Sequence, residues 1–349
     1  MNKKIYNFKD IFLDDSKNVS KINLEEITNI GDIAVIDQSR TYIAGYVEES
    51  SYKVCKNERI IFGDHTRIIK YINIPFIIGA DGVKTLKLKD EKKCLYKFFY
   101  YYLQYIDIPN NGYSRHFKFL KEKEFTIPQI EFQEKVIENL DKIEKLINDK
   151  KTQKEKFKDL IISKFIDMFQ NRNYNVDILD NVSKSISAGG DKGKDISKNK
   201  DSEHIYPVYA NGLENDGLQG YSKKYKIDED AVTISARGTV GHSLIRKAKF
   251  TPVVRLITIV PNEKINVIYL KYAIDNMNLS SSGTSQAQII VPNIKNEKLI
   301  VPPIELQNKF AIFVKQINKQ ELICDEQLNK LYELKYSKMQ EYFGGVINE

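Results

Sequence analysis

Three short stretches hold side chains that could do chemistry. Residues 62–67 read FGDHTR, an acid, a histidine and an arginine side by side. Neighbours on a strand point to opposite faces, so Asp64 and His65 do not make a natural proton-transfer dyad. The chain has only 4 His and no GxSxG-like context for an activated nucleophile. Residues 73–76 read NIPF, one position away from an Asn-Pro-Pro-aromatic phrase that presents an amine for methyl transfer. Ile74 breaks that phrase, and no glycine-rich cofactor loop follows a strand in the expected order. Residues 91–93, EKK, match the tail of a nuclease Asp…Glu-x-Lys set, but such triplets abound in a lysine-rich chain. Cys55, Cys94 and Cys324 form no CxxC pair and no metal-ligand spacing, which fits a reduced cytoplasm. No phosphate loop is present. No catalytic residue and no metal ligand is assigned.

What does recur is a polar, basic, glycine-containing loop after a strand. The first half has GDHTRIIK, GADGVK and NGYSRHFK; the second has SAGGDKGK, QGYSKKY, SARGTVGHS and SSGTSQAQ. Glycine lets backbone approach a surface closely. Arg, Lys, Ser and Thr bond phosphate, and Arg, Gln and Asn also read base edges. A single loop of this kind is an ordinary solvated turn. Their density in both halves, on a chain of net charge +7, points to nucleic acid.

The elements that must position these loops are written twice. Residues 127–136 read IPQIEFQEKV and residues 301–310 read VPPIELQNKF, an offset of 174 residues. At that offset Pro128 meets Pro302, Glu131 meets Glu305, Gln133 meets Gln307, Leu160 meets Leu334 and Phe169 meets Phe343, without a gap. The period is too long for a solenoid or propeller and means two large units. Val136, Leu140, Ile143 and Ile147 step by four, three and four, and the stripe returns at Phe157, Ile161 and Phe165. Phe310, Val314, Ile317, Leu328 and Leu331 make the second stripe. These heptad steps predict a helix in each copy with a narrow buried seam. Prolines sit just ahead of each helix, and Gly344–Gly345 are expected to close the second. Lys150 and Lys154 interrupt the first seam and Glu321 the second, which disfavours a clean homodimer and favours antiparallel pairing of the two helices within one chain. At about 40 residues, each would be roughly 60 Å long.

The remaining segments, 1–126 and 171–300, read as short strands between turns. IAVIDQ, YKVCKNERIIFG and VKTLKLKD precede a helix at LYKFFYYYLQYI. HIYPVYANG, YKIDEDAVTIS, HSLIRK and RLITIVPN precede a helix at NVIYLKYAIDNM. AGY (44–46) echoes QGY (219–221), and LYKFF (95–99) echoes IYLKY (268–272). The expected fold is α+β: two domains (1–126 and 171–300) related by a pseudo-two-fold, with long antiparallel spacer helices at 127–170 and 301–349 forming a coiled coil. The aromatic run FFYYYLQY is expected in the core. No stretch of 18 apolar residues could span a bilayer. The N-terminus turns acidic with no apolar h-region, so neither membrane nor signal peptide is expected and the location is read as cytoplasmic.

On these residues the chain closely resembles the specificity (S) subunit of type I restriction–modification systems. IIFGDHTR, GADGVK and GYSRHFKFLKE look like one target-recognition-domain variant. PVYANGLENDGLQGYSKKY, VTISARGTVG and GTSQAQI look like another. IPQIEFQEK and VPPIELQNK look like the phrase that opens each spacer helix. The resemblance covers essentially the whole chain. It implies that each recognition domain reads one half of a split, asymmetric site on double-stranded DNA while the helices set the unread gap. It implies no catalysis and no cofactor on this chain. Two modification (methyltransferase) subunits using S-adenosylmethionine are the implied partners, docked on the seam helices, with restriction subunits using ATP and Mg as possible further partners. The DNA contacts expected are His65, Thr66, Arg67, Ser114, Arg115 and Lys118 in the first domain. In the second they are Arg237, Thr239, His242, Ser285, Gln286 and Gln288, with Lys223 and Lys224 on phosphate. The chain is compact for a two-domain member, which leaves an S-like subunit of a fused methyltransferase–nuclease as the alternative. A stand-alone DNA-modifying enzyme would need a cofactor or metal motif, and a pure coiled-coil scaffold would leave the basic loops unexplained.

Overall fold

The computed structural model describes residues 4–347, apart from 49–51, 80, 113, 171, 278 and 280–288. Its contacts divide the chain into two units, Met1–Lys151 with Glu326–Glu349, and Thr152–Asp325. The division cuts both long helices midway instead of setting them apart from the sheets.

The first repeat of the chain runs β1 (Ile5–Asn7), α1 (Phe8–Ile11), β2 (Phe12–Asp14), β3 (Ile33–Ile36), β4 (Gly45–Val47), β5 (Arg59–Gly63), β6 (Ile69–Ile72), β7 (Phe76–Ile78), β8 (Val83–Leu88), α2 (Tyr96–Tyr105), α3 (Phe117–Lys121) and β9 (Glu124–Thr126), all in the first unit, and then α4 (Ile130–Phe165), which crosses into the second. The second repeat runs β10 (Asn175–Ile178), β11 (Ser183–Ala188), β12 (Tyr206–Tyr209), β13 (Leu218–Ser222), β14 (Ala231–Ile234), β15 (Ser243–Arg246), β16 (Thr251–Pro252), β17 (Ile257–Pro261), α5 (Val267–Asp275), α6 (Val291–Lys295) and β18 (Lys298–Val301), all in the second unit, and then α7 (Ile304–Ile347), which crosses back into the first.

The sheets repeat one topology. The first unit has β2-β8-β5-β6, β4-β3-β7 and β1-β9; the second has β11-β17-β14-β15, β13-β12-β16 and β10-β18. β5 shows why its sequence is apolar without alternation. Ile60 and Phe62 face the cluster around α2, while Ile61 faces the layer shared with Val35 and Ile77. A strand covered on both faces needs apolar side chains at every position. The aromatic run of α2 is core, as its sequence predicts: Phe98, Phe99, Tyr101 and Tyr102 are all buried. Phe343 stacks on Tyr102 with centroids 4.7 Å apart, and its repeat partner Phe169 packs edge-on against Tyr269 at 4.8 Å.

The repeated glutamine explains the repeated phrase. Gln133 and Gln307 are each fully buried. Oε1 of Gln133 accepts from the Leu95 amide at 2.9 Å, and its Nε2 donates to the carbonyls of Lys93 at 2.7 Å and Pro128 at 2.9 Å. Gln307 repeats the set with the Asn266 amide at 2.9 Å and the carbonyls of Lys264 at 3.0 Å and Pro302 at 2.8 Å. One side chain thus ties the start of a spacer helix to the proline segment before it and to the entry of the preceding helix. The same bonds align Leu95 with Asn266, so the LYKFF echo of IYLKY is displaced by two residues. The AGY echo holds, since Tyr46 bridges Thr28 as Tyr221 bridges Ser197.

The seam forms within each unit. In the first, Val136, Leu140, Ile143 and Ile147 share a cluster with Leu328, and Leu331 packs half-buried beside it. Asn139 donates to Tyr342 at 2.9 Å, and Lys335 pairs with Glu144. In the second, Ile161 and Phe165 share a cluster with Phe310, Val314 and Ile317. The paired residues run in opposite directions along the two helices, so the pairing is antiparallel in each unit. The interruptions of the second unit's seam answer one another: Lys154 meets Asp325 at 2.6 Å and Glu321 at 4.0 Å. The seam side chains named from sequence are buried between this chain's own helices, with Leu331 half-buried, as intrachain pairing requires. One expectation is corrected. Gly344 and Gly345 do not close the second helix, which continues to Ile347.

Replacing either glutamine by leucine strands three backbone groups, most of them partly buried. Gln133→Leu and Gln307→Leu should each lower unfolding stability by about 2–4 kcal/mol in denaturant titration of the full chain. A loss below about 0.5 kcal/mol, the scale of an ordinary surface change, would contradict this role.

Candidate nucleic-acid interface

The two candidate loops picked from sequence occupy one structural position. Residues 64–68 join β5 to β6, and residues 235–242 join β14 to β15; the paired strands correspond in their sheets. An amide side chain from the neighbouring sheet holds each turn. Gln38 Oε1 accepts from the His65 amide at 3.1 Å, and Gln38 Nε2 donates to the Asp81 carbonyl at 3.1 Å. Asn211 Oδ1 accepts from the Ala236 amide at 2.8 Å, and Asn211 Nδ2 donates to the Val254 carbonyl at 2.6 Å. Gln38 and Asn211 each stand two residues beyond the end of β3 and β12. Neither is evident from sequence, because each bonds backbone distant along the chain.

In the first unit the structure brings the two predicted groups together. The buried Asp64 carboxylate accepts from the Phe117 amide at 2.7 Å and so caps α3. The Asp64 carbonyl accepts from the His116 amide at 2.8 Å and from its Nδ1 at 2.9 Å. His116 is buried, and its Nε2 accepts from the Asn111 amide at 3.4 Å. This histidine staples the 64–68 turn to the segment carrying Ser114, Arg115 and Lys118. Arg115 and Lys118 are exposed; Ser114 Oγ lies 3.5 Å from His116 Nε2. Thr66 is exposed and donates to the Gln38 carbonyl at 2.8 Å. His65 is half-buried beside Gly82, where a Cβ would meet its ring at 2.8 Å. Arg67 takes a left-handed backbone at φ 60°, and its Nη1 donates to the Ile108 carbonyl at 2.9 Å.

In the second unit Arg237 is exposed on the turn, which bends through Gly238 at φ 70° and Gly241 at φ 84°. Thr239 and His242 are half-buried, and Thr239 Oγ1 and His242 Nε2 are buried atoms. Ser285, Gln286 and Gln288 lie outside the described residues. The Ile289 amide donates to the Ala236 carbonyl at 3.1 Å, which ties the chain just beyond them to the same turn. Lys223 and Lys224 are exposed on the loop after β13, where Lys223 pairs with Glu203 at 2.6 Å. His204 stands on the adjacent loop between Asp195 and Asp201, at 2.9 Å from each. The hydrogen bond that the imidazole donates to Asp195 raises it above its ordinary range, and the amides of His204 and Glu203 hold Asp201 down to about 2.

Among the described residues, no group of three or more His, Cys, Asp or Glu side chains is placed to hold a metal, and no helix is long and apolar enough to cross a membrane. The family model of the type I restriction modification DNA specificity domain matches the chain twice, over residues 2–157 and 175–333. This chain belongs to that family.

Each specificity-domain match covers one repeat of sheets plus the start of a long helix. Two Mycoplasma pneumoniae proteins named as type I specificity subunits are 31% and 30% identical over 142 and 133 residues, or 41% and 38% of this chain. The aligned stretches span 39% and 40% of those relatives. A type I restriction–modification S subunit from M. genitalium superposes with TM-score 0.57 at 16% identity, over 98% of this chain and 96% of its own. A chain from a type I system solved for its complex assembly and conformational transition superposes with TM-score 0.59 at 13% identity, over 98% of both. At such identities the likeness is one of fold.

The paired amide clamps generate a prediction for this specificity-domain chain. In Gln38→Ala the amides of residues 64–67 should exchange with solvent about tenfold faster, and in Asn211→Ala those of residues 236–242 should do so, each without effect on the other turn. Unchanged exchange in the turn that loses its clamp would contradict the positioning role.

Proposed function

We propose that this chain is the DNA-specificity subunit of a type I restriction–modification complex and is inactive alone. One observation carries the reading: a single sheet topology occurs twice and presents the same amide-clamped hairpin turn each time. The two turns differ completely in sequence, DHTRI against SARGTVGH, as two readers of two unlike half-sites would. Exposed Arg115 and Lys118 in one unit and Arg237 in the other supply donors for phosphates or base edges. His65, Thr66 and Arg67 sit on the first turn and belong to the same proposed surface.

Two methyltransferase subunits are the proposed partners, carrying S-adenosylmethionine themselves, with restriction subunits that use ATP and Mg as further members of the complex. Their docking surface is assigned to the flanks of the spacer helices. Leu160 and Ile162 on α4 are 47% and 45% exposed, and their repeat equivalents Leu334 and Tyr336 on α7 are 44% and 63% exposed. Exposed apolar side chains kept in both copies, one on each flank of an inward-facing residue, suit two copies of one partner. A cytoplasmic location follows from the same reading.

The test is selection of duplexes from a random pool by the full chain purified with its methyltransferase subunits. The expected product is two short sequence blocks around a fixed gap, and a single contiguous block would contradict the reading. In the same selection Arg237→Ala should relax one block only and cost about 1–3 kcal/mol of affinity if it reads a guanine.

A further inference from the structure

The second unit carries a groove that the hairpin turns do not use. It encloses about 760 Å³ between residues 192–199 and the β12–β13 hairpin. Lys192, Lys198 and Asn199 stand exposed on one rim, and Glu214, Asn215 and Gln219 on the other. The lining side chains therefore carry two ammonium groups, four amides with Asn211 included, and one carboxylate. The floor is backbone. Gly217 has φ 76°, and a Cβ there would lie 2.2 Å from the Ala210 carbonyl oxygen; Gly220 has φ 134°, and its Cβ would lie 2.4 Å from the Ser197 carbonyl oxygen.

The walls are fixed in advance. Ser197 and Tyr221 exchange backbone hydrogen bonds at 2.9 and 2.8 Å, which locks the basic rim to β13. Beneath the hairpin turn lies the buried Arg246, stacked 3.8 Å above the Tyr209 ring centroid, with Nε donating to Thr233 Oγ1 at 3.1 Å and Nη2 donating to the Asp216 carbonyl. Asn215 and Asp216 are held left-handed over it, at φ 47° and 54°. Asn211, which clamps the 235–242 turn, also lines this groove, so groove and turn share one rigid support.

We propose that this groove is a second DNA contact of the chain, taking the phosphodiester backbone of one strand on Lys192 and Lys198 with the amide rim against adjoining sugar and base edges. The proposal rests on the specificity-subunit reading and adds to it a site outside the hairpin turns. Charge favours DNA over a protein partner, because the rim is cationic and amide-rich and its exposed apolar content is confined to Leu213.

The test compares Lys192→Ala/Lys198→Ala with a control pair from the same unit outside the groove, Lys247→Ala/Lys264→Ala. The full chain with its methyltransferase subunits is titrated with a duplex bearing the selected site and with a mixed-sequence duplex across a salt series. The groove variant should bind both duplexes more weakly, and its slope of log affinity against log salt should be shallower by about two, one for each phosphate no longer neutralised. The control pair should match the unsubstituted chain, and thermal melting should be unchanged for both, since all four lysines are exposed. Equal losses in both variants would mean a diffuse charge effect and would overturn the proposal. So would unchanged affinity and slope, or loss of methyltransferase capture with DNA binding intact, which would make the groove a protein contact. If the unsubstituted complex binds no bipartite site, the specificity reading itself falls and the groove with it.

Discussion

A buried glutamine amide, present once in each half of the chain, sets where each spacer helix leaves its sheet. Gln133 and Gln307 each satisfy three backbone groups that come from two separate segments, at positions closed to solvent. Such an amide is strongly specified, because any partner left unmade costs the full desolvation of a buried polar group. The helix can start in only one rotational setting, and the setting decides which side chains enter the seam. The prolines that precede the helices belong to the same device: their carbonyls are acceptors for the amide, and their rings cannot extend the helix backwards.

With the start fixed, the two faces of each helix take different tasks. The inward face buries Val136, Leu140, Ile143 and Ile147 in one unit and Phe310, Val314 and Ile317 in the other. In the second unit the seam gives way to the partly exposed Lys154–Asp325 pair, where the hydrogen bond donated to Asp325 holds the lysine charged. Polar groups of this kind specify register more than they stabilise. The flanks keep Leu160 and Ile162, and Leu334 and Tyr336, in view of solvent. The same logic governs the sheets, where Gln38 and Asn211 hold backbone of the hairpin turns while leaving Thr66 and Arg237 on the surface.

Local periodicity is legible in the amino-acid order. The 174-residue offset, the seam steps, the strand order and the aromatic core of α2 all follow from side-chain types at short range. Features made by distant segments are not legible there. Asp64 reads as part of a reactive trio, yet its carboxylate caps a helix more than fifty residues onward; His116 reads as one more loop residue, yet it joins two loops. Thr239 and His242 have the right chemistry for DNA, yet Thr239 Oγ1 and His242 Nε2 are buried, which only the turn geometry decides. Lys223 looks like a free cation until Glu203 is placed beside it. Lys192 stands in one of the basic loops evident from sequence, but Lys198 carries no signal beyond charge until the hairpin opposite forms a groove.

The central claim is that a duplicated, amide-clamped scaffold lets one chain dictate a two-part DNA address to enzymes it does not contain. Mapping of methylated adenine across the host genome, with the gene expressed and with it deleted, tests this most directly. The account predicts that deletion abolishes methylation at one motif made of two short blocks around a fixed gap and leaves every other motif untouched. An identical methylation map from the two strains, with the protein and a methyltransferase partner both present in the first, would contradict it.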